Sequence, residues 1–324
     1  MRIKKRPYSK TLNLSLLFVL FIQDIQAISP LHIVGSSAVF PFAASVAEHF
    51  GHKSRTPIPL IESIGTGAGI KLFCGSTKGP DGVITSRAMT TGEINVCKNQ
   101  GIHFEEFKIG QDGLVLIQNK QEVPFSLTLS DLRKALSEKI LEQKKCIPNP
   151  TKTWNDIQNT FPNIPIRVLG PAPTSGTYDV LIEKMGTDCA SLLRHDGAYI
   201  EAPANENLII QKALNATSTI GIITFSFYEQ NWDRLRAVPI NNILPSVSTI
   251  QQGRYPLSRP LYLYIRTDNI QNTPARIEYA LEFMSQDAIG KEGYLNAKGL
   301  IPLSLSEQEK MRQRAFLLQQ MVNP

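Results

Sequence analysis

Leu169 to Asp179 reads Leu-Gly-Pro-Ala-Pro-Thr-Ser-Gly-Thr-Tyr-Asp, and this stretch decides the fold. The apolar run from Ile164 to Leu169 predicts a mostly buried strand, and the spacing of Tyr178, Leu181 and Met185 predicts a helix. A strand that turns through Ser-Gly-Thr into a helix leaves backbone N–H groups free at the helix start. Together with hydroxyls and the positive end of the helix dipole, such a turn can hold an anion. The alternative is a simple helix cap, because serine and threonine are usual N-cap residues.

Three earlier turns have a similar composition. Gly-Ser-Ser-Ala-Val-Phe-Pro occupies residues 35–41, Gly-Thr-Gly-Ala-Gly occupies 65–69, and Thr-Ser-Arg occupies 85–87. Each turn follows a short segment that predicts a strand and precedes a segment that predicts a helix. Repeated strand–turn–helix units predict an α/β fold with a parallel-rich sheet flanked by helices. Because ligands of such sheets lie beyond the carboxyl ends of the strands, we expect the turns to converge on one site.

The order of the predicted elements indicates two lobes. Strands are predicted at 102–109 and 113–117, with Gln111-Asp112-Gly113 between them as a crossover, and a strand at 261–265 returns the chain to the first lobe. We expect a first lobe of residues 28–111 plus about 260–324, and a second lobe of about 112–259. A length of 324 residues suits two domains of ordinary size.

The second half contains further predicted elements. Leu129–Ile140 has the spacing of an amphipathic helix, and Glu206–Leu214 is helical by pattern. Ile220–Phe225 predicts a strand, and residues 273–287 predict one helix. Ser304 and Glu307 form the pattern of a capping box that opens the last helix.

The first 27 residues differ from the rest of the chain. Basic residues from Arg2 to Lys10 precede the apolar run Leu12–Ile22, and Gln26-Ala27 follows it. This layout predicts a secretory signal peptide of residues 1–27. Ile25 is larger than the small residue usual before a cleavage site, so an uncleaved anchor remains the alternative.

The charge of the chain argues against a nucleic-acid surface. The whole chain is formally +6, but residues 1–27 hold five basic residues and one acidic residue. The remainder has 29 basic and 27 acidic side chains, a net charge of +2, and shows no basic run. The five histidines lack metal-ligand spacing, so neither a metal nor a cofactor is expected.

Four cysteines, an even number in a chain predicted to be exported, favour disulfides. Sequence alone allows three connectivities. We favour Cys74–Cys97 and Cys146–Cys189, because each pair would link one local segment. Four buried free thiols are the alternative, since free cysteine is often buried.

The converging turns predict a cleft for a small oxyanion such as phosphate. Arg87 would give charge-assisted bonds, unless it is a surface arginine paired with a carboxylate. Gly65 and Gly176 would let the backbone approach the anion. Neutral donors would come from the following hydroxyl side chains: Ser37, Thr66, Ser86, Ser175 and Thr177.

Competing motifs fail on spacing. In residues 65–69 the third glycine comes too soon for a dinucleotide fingerprint, and Lys71 lacks the Gly-Lys-Ser/Thr context of a phosphate-binding loop. The chain contains no Gly-x-Ser-x-Gly nucleophile motif, and no carboxylate pair stands out as acid and base.

The four turns resemble those of the phosphate-binding proteins of bacterial phosphate ABC importers, and the similarity runs from about Leu31 to near the C-terminus. This resemblance implies a two-lobed, type II periplasmic binding fold with a hinge between the lobes. It also implies a periplasmic, non-enzymatic monomer that closes around inorganic phosphate and delivers it to a permease in the inner membrane.

The resemblance also implies site residues. In the first turn, Ser37 and Ala38 precede Val39 and Phe40, whose backbone N–H groups match family contacts. The others carried over are Thr66, Ser175, Gly176 and Thr177. The family's arginine four residues before the serine of Ser-Gly-Thr is Pro171 here. Arg87 stands where some members have an aspartate that accepts a proton from phosphate, which puts selectivity over sulfate in doubt.

The leading hypothesis is therefore an exported phosphate-binding protein. The alternatives are a binding protein for another oxyanion, such as sulfate or molybdate, and a secreted hydrolase or phosphatase with Ser175 as nucleophile. The hydrolase would need a histidine base, and His195 is the nearest in sequence. An adhesion or scaffold protein that lost ligand binding is a further alternative, which Pro171 keeps open.

Overall fold

The computed structural model describes residues 29–54, 56–173, 175–186, 189, 192–202, 205–216, 218–290 and 292–322. The predicted signal peptide and Thr174 lie outside these residues. The strands are β1 His32–Gly35, β2 Leu60–Ser63, β3 Gly82–Thr85, β4 Phe104–Asn119, β5 Lys139–Glu142, β6 Lys145–Pro148, β7 Val168–Pro171, β8 Tyr199–Ala202, β9 Ile220–Thr224, β10 Leu235–Ala237 and β11 Ser258–Arg266. The α-helices are α1 Phe40–Ser54, α2 Thr66–Phe73, α3 Thr91–Asn99, α4 Leu129–Leu136, α5 Trp154–Ile157, α6 Gly176–Met185, α7 Glu206–Asn215, α8 Phe225–Glu229, α9 Val247–Gln251, α10 Ala275–Phe283, α11 Gln286–Ile289 and α12 Leu305–Val322.

One mixed sheet runs through the molecule in the order β2-β1-β3-β11-β4-β9-β7-β8, with β10 paired to β4. At one end β1 pairs in parallel with β2 and β3, and at the other β7 pairs in parallel with β8 and β9. The central pair, β4 and β11, is antiparallel. The predicted α/β class, with parallel strands and flanking helices in each half, is therefore confirmed.

The buried side chains form separate cores on the two sides of the central pair. One core, which we call the second core, consists of residues between Leu114 and Leu257 together with Ile301. The first core is made by two clusters of residues that lie before residue 110 or after residue 260. We call the parts built around these cores the first half and the second half. The exact lobe boundaries at 111/112 and near 260 stay a prediction.

Several predicted elements have different bounds in the structure. The two strands predicted at 102–109 and 113–117 are one continuous strand, β4, so the crossover at 111–113 lies within a strand. The helix predicted for Leu129–Ile140 ends at Leu136 because Ser137 is extended, and the chain continues into the β5–β6 hairpin. The helix predicted for 273–287 is two helices, because Ser285 has an extended backbone and caps α11.

The last helix, α12, begins as predicted. The backbone N–H of Ser304 donates to the Glu307 carboxylate, and the N–H of Glu307 donates back to the Ser304 hydroxyl, as in a capping box. Polar residues recur along this helix. Throughout the ranges that the structure describes, no helix combines the length and apolarity that a membrane crossing requires.

Both predicted disulfides are confirmed. Cys74–Cys97 joins the end of α2 to α3 inside the first core, where both residues are buried. Cys146–Cys189 joins the β5–β6 hairpin to the segment after α6 in the second half. Each bond thus links elements within one half, and by closing a loop of the unfolded chain it stabilises that half alone.

Gly35 fixes the first turn against the sheet. Its φ of +137° is one that side chains rarely adopt, and an added Cβ would lie 2.0 Å from the Ile84 carbonyl oxygen. This close approach lets the N–H of Ser36 donate to that same oxygen at 2.9 Å. The conformation of residues 35–41 therefore depends on the absence of a side chain at residue 35.

We expect Gly35→Ala to destabilise the protein by about 3 kcal/mol or more, because it adds backbone strain to a collision with a buried carbonyl. Gly101→Ala is the matched control: its φ is +70°, but an added Cβ meets no atom within 4 Å. That change should cost about 1 kcal/mol from the left-handed backbone alone. Urea unfolding measures both values, and equal losses would contradict this role for Gly35.

Candidate functional site

The first three predicted turns lie together at one edge of the sheet. They follow β1, β2 and β3, which are parallel neighbours, so their carboxyl ends point the same way. The N–H of Gly65 donates to the carbonyl of Gly35 at 2.8 Å, which links the first two turns. The hydroxyls of Thr66 and Ser86 are 3.1 Å apart, which links the second turn to the third.

The fourth turn forms the start of α6. Ser175 is its N-cap, with an extended backbone and a side-chain oxygen that accepts from the N–H of Thr177. The capping alternative is therefore confirmed, and because the hydroxyl only accepts in this bond, its own proton remains available. The Ser37 hydroxyl donates to the Asp179 carboxylate at 2.6 Å, so the first and fourth turns meet across the two halves.

A cavity of about 200 Å³ lies where these two turns meet. The first half contributes the loop after β1 and the start of α1, and the second half contributes the start of α6 and the end of β9. The central strand β4 and the segment before α12 complete the wall. The lining residues are Ser37, Ala38, Pro41, Phe42, Asp112, Ser175, Thr177, Thr224, Lys298 and Gly299.

The backbone N–H groups of the first turn differ in whether they have an acceptor. The N–H groups of Val39 and Phe40 both donate to the Ser36 carbonyl, at 3.2 and 3.0 Å. Those of Ser37 and Ala38 have no backbone acceptor among the described residues, and both residues line the cavity. The N–H contacts of Val39 and Phe40 with a ligand stay a prediction: in this structure these N–H groups make turn bonds at the start of α1, and the N–H groups without a backbone acceptor lie just before them.

Arg87 is bound elsewhere. Its guanidinium makes two bonds to the Glu93 carboxylate, at 2.9 and 2.8 Å, and a third to the Ala88 carbonyl. This pairing, together with bonds from Thr90, holds the pKa of Glu93 at about 2 although burial opposes it. The alternative of an arginine paired with a carboxylate is therefore the observed one, and Arg87 is not among the residues that line the cavity.

The other predicted residues of the first half lie beside the cavity without lining it. Ser86 is buried, its N–H donates to the Thr66 hydroxyl at 3.3 Å, and Gly65 precedes α2 with a φ of +86°. Gly176, the first residue of α6, lies between the lining residues Ser175 and Thr177. The structure thus brings together the first and fourth turns, with the second and third turns behind the first.

Three polar lining residues were missed by the sequence reasoning. Thr224 ends β9, next to the Ser-Gly-Thr strand, so the rule about carboxyl ends could have found it. Asp112 lies in the segment predicted as a crossover, which indicated a central position but no role. Lys298 is the last residue of a three-residue 3₁₀-helix far along the chain, and no local signal marked it.

Asp112 is held by a buried arginine. Arg259 on β11 pairs with Asp112 on β4, and its Nη2 donates to the carboxylate at 3.1 Å. The guanidinium is almost fully buried, and its Nε and Nη1 atoms have no hydrogen-bond partner among the described residues. A buried cation with open donors places positive charge close to the cavity floor, where the low dielectric strengthens its field.

Residue 171, four positions before Ser175, is a proline, so this position provides no cation, as the sequence indicated. It ends β7, is buried, and its carbonyl accepts from the Tyr199 hydroxyl at 2.6 Å. Positive charge at the cavity comes instead from Lys298 at its wall and from Arg259 behind Asp112. No cluster of metal-ligating side chains occurs in the part of the chain that the structure describes.

Comparisons with known proteins agree on one family. The family model described as the PBP superfamily domain matches residues 23–286. The chain is 30% identical to protein SphX of Synechococcus elongatus over 86% of this chain and 79% of SphX. It is also 30% identical to the phosphate-binding protein PstS of Staphylococcus epidermidis over 78% of this chain and 73% of PstS.

Solved structures show the same fold. A protein from Planctomyces limnophilus, described as a possible phosphate-binding protein, superposes with a TM-score of 0.78 and 26% identity, over 90% of this chain and 98% of that one. An ABC-type phosphate transport receptor from Vibrio cholerae gives a TM-score of 0.60 over 79% of this chain and 94% of that one. At 19% identity the second likeness shows the fold alone.

Removal of Arg87 tests its structural role. Because Arg87 lowers the pKa of Glu93, the pair stabilises the fold above the ordinary carboxyl pKa and loses this effect as pH falls toward about 2. We expect Arg87→Ala to cost about 1 kcal/mol at neutral pH, since the pair is partly solvent-exposed. The difference from the wild type should shrink between about pH 5 and pH 2.

Urea unfolding at several pH values measures this difference. Arg312→Ala is the control, because Arg312 also forms an ion pair, with the exposed Glu309. Exposed pairs contribute little, so this control should show a smaller loss that depends weakly on pH. A pH-independent loss in Arg87→Ala would show that Arg87 stabilises the fold by packing and not through Glu93.

Proposed function

The chain belongs to the PBP superfamily, and from this premise we propose that it captures inorganic phosphate between its two halves and delivers it to an ABC permease. The observation that carries the proposal is the cavity of about 200 Å³, to which both halves contribute free donors. Names of relatives, such as the phosphate-binding protein PstS, support the same ligand. Capture would proceed by closure of the halves around the central strands, a common motion of two-domain binding proteins.

We propose that the ligand is held by residues of both halves. From the first half come Ser37 and Ala38, and from the second half Ser175, Gly176, Thr177 and Thr224; Asp112 and Lys298 complete the site. The hydroxyls of Ser175 and Thr177, backbone N–H groups at helix starts and the Lys298 ammonium suit a tetrahedral anion. The remaining predicted residues shape the wall behind the first turn: Val39, Phe40, Gly65, Thr66, Ser86 and Arg87.

Asp112 favours phosphate over sulfate in this proposal. At neutral pH phosphate carries at least one proton, whereas sulfate carries none. A carboxylate at the cavity wall accepts a hydrogen bond from the protonated anion but repels an anion without a proton. Asp112 would thus provide an acceptor from the central strand, although Arg87 stands where some family members have an aspartate.

The proposed role is binding without catalysis. The serine hydrolase alternative requires a base beside Ser175, but no histidine lies among the described residues that line the cavity, and His195 has an exposed side chain. The Ser175 oxygen instead accepts a bond that caps α6. The scaffold alternative, which Pro171 kept open, is countered by Lys298 and the free donors of the cavity.

Location and partners are part of the same proposal. The basic start and apolar run of residues 1–27 support export, and disulfides of the kind seen here persist in oxidising compartments such as the periplasm. A periplasmic monomer would meet an inner-membrane permease, as the resemblance to phosphate importers implies. The net charge of +2 after residue 27 supports no nucleic-acid partner.

Titration calorimetry of the exported chain with phosphate and with sulfate tests the proposed function. We expect phosphate to bind and sulfate to bind more weakly. Lys298→Gln should weaken phosphate binding about tenfold, because it removes a charged hydrogen bond and leaves a neutral side chain of similar reach. Lys78→Gln is the matched control, since Lys78 is exposed and does not line the cavity.

The outcomes separate the alternatives. Absence of heat with every oxyanion would overturn the transport proposal and favour a scaffold. Tighter binding of sulfate than of phosphate would indicate another oxyanion as the ligand. Hydrolysis of a phosphoester that disappears in Ser175→Ala would favour the enzyme.

A further inference from the structure

Thr224 at the cavity wall is held from behind by a carboxylate. Its backbone N–H and its hydroxyl both donate to Glu206, at 2.8 and 2.9 Å. Glu206 lies in the first turn of α7 and is partly buried, while Thr224 ends β9 and lines the cavity. The side chain that faces the cavity is thus bonded to an acid that does not line it.

The bonds of Thr224 decide which way its hydroxyl proton points. A threonine hydroxyl has one proton and two lone pairs, and an ionised carboxylate can only accept. While Glu206 is ionised, the proton is committed to it. The Ser226 hydroxyl, 3.2 Å away, can then donate to one lone pair of Thr224. The remaining lone pair makes Thr224 an acceptor toward the cavity.

A proton on Glu206 reverses this arrangement. The backbone N–H of Thr224 is always a donor, so the carboxyl oxygen that faces it must accept, and the acid proton must lie on the other oxygen. That oxygen faces the Thr224 hydroxyl and now donates to it. The hydroxyl proton is released toward the cavity, so Thr224 becomes a donor to the bound anion.

We propose that Glu206 is a positioning residue that sets the direction of the Thr224 hydroxyl and thereby decides whether the site favours a protonated oxyanion. The proposal rests on the proposed function, because it concerns the same cavity. Ionised Glu206 presents Thr224 beside Asp112 as a second acceptor, which suits the P–OH groups of phosphate. Neutral Glu206 presents a donor, which suits sulfate as well.

The surroundings of Glu206 bring the pKa of its carboxyl group into the neutral range. Burial, with a smaller contribution from the Asp112 carboxylate, raises the pKa of Glu206 to about 7 against the lowering effect of the two Thr224 bonds. The strands packed against α7 are β4, β7 and β9; β7 and β9 carry no charged residue, and Asp112 on β4 acts on Glu206. Arg259 balances Asp112 from β11.

Sulfate is the probe for this proposal, because it stays a dianion between pH 6 and pH 8 whereas phosphate itself titrates. We expect the wild type to bind sulfate about tenfold more tightly at pH 6 than at pH 8, the effect of one hydrogen bond gained. Glu206→Gln should bind sulfate equally at both values, near the wild-type affinity at pH 6. Its amide oxygen must face the Thr224 N–H, so its NH₂ group donates to the hydroxyl as the protonated acid does.

Glu201→Gln on β8 is the matched control, because Glu201 is exposed and lies outside the cavity; it should retain the pH dependence of the wild type. Calorimetry gives the dissociation constants, with displacement by phosphate where the heat of sulfate is small. At pH 8, Glu206→Gln should also lose about tenfold in its preference for phosphate over sulfate.

Two results would overturn the proposal while phosphate binding stands. One is an unchanged pH dependence for sulfate in Glu206→Gln, and the other is sulfate affinity that does not vary with pH in the wild type. A purely structural role for Glu206 would lower the melting temperature of Glu206→Gln without altering its selectivity. If the wild type binds no oxyanion, the proposed function itself fails, and this proposal with it.

Discussion

The antiparallel ladder between β4 and β11 is the constraint on which the rest of the molecule depends. Its register runs from Ser258 opposite Gly113 to Arg266 opposite Phe104, so it passes from one core to the other. Because the backbone pairing crosses from one half to the other, with a register shift between Leu261 and Tyr262, a change in the angle between the halves would bend or twist this ladder. Asp112 and Arg259 pair within it, so a buried charge lies where the cavity wall meets the pivot.

The fold was predictable because its signals are local. Short apolar runs, glycine- and hydroxyl-rich turns and helical spacing identified the βα units, and their order indicated the α/β class that the structure confirms. The family membership inferred from four turns is confirmed by the matching model. Errors fell at boundaries such as Leu136 and Ser285, where an extended backbone ends a pattern that the side chains would continue.

The residues that line the cavity were predictable only where they lie on these turns. Ser37, Ala38, Ser175 and Thr177 line the cavity, but Lys298 does so through tertiary packing alone. Arg87 shows the limit of this reasoning: its position in the third turn predicted a contact with the ligand, and in the structure Glu93, six residues later, binds both of its terminal nitrogens. A charged side chain reaches several ångströms in any direction, so its partner cannot be inferred from the turn that carries it.

Whether a hydroxyl group donates or accepts is undetermined until its partners are known, and at this site two of the three hydroxyls are bonded to carboxylates. Ser37 gives its proton to Asp179, and Thr224 gives its proton to Glu206, whereas the Ser175 oxygen accepts from a backbone N–H and keeps its proton. In the sequence these three hydroxyls are equivalent as possible donors. In the structure Ser37 and Thr224 can only accept from a group in the cavity, and Ser175 can still donate to one. If the cavity binds a tetrahedral anion as proposed, its preference among such anions would follow from the acids behind its wall as much as from the residues that line it.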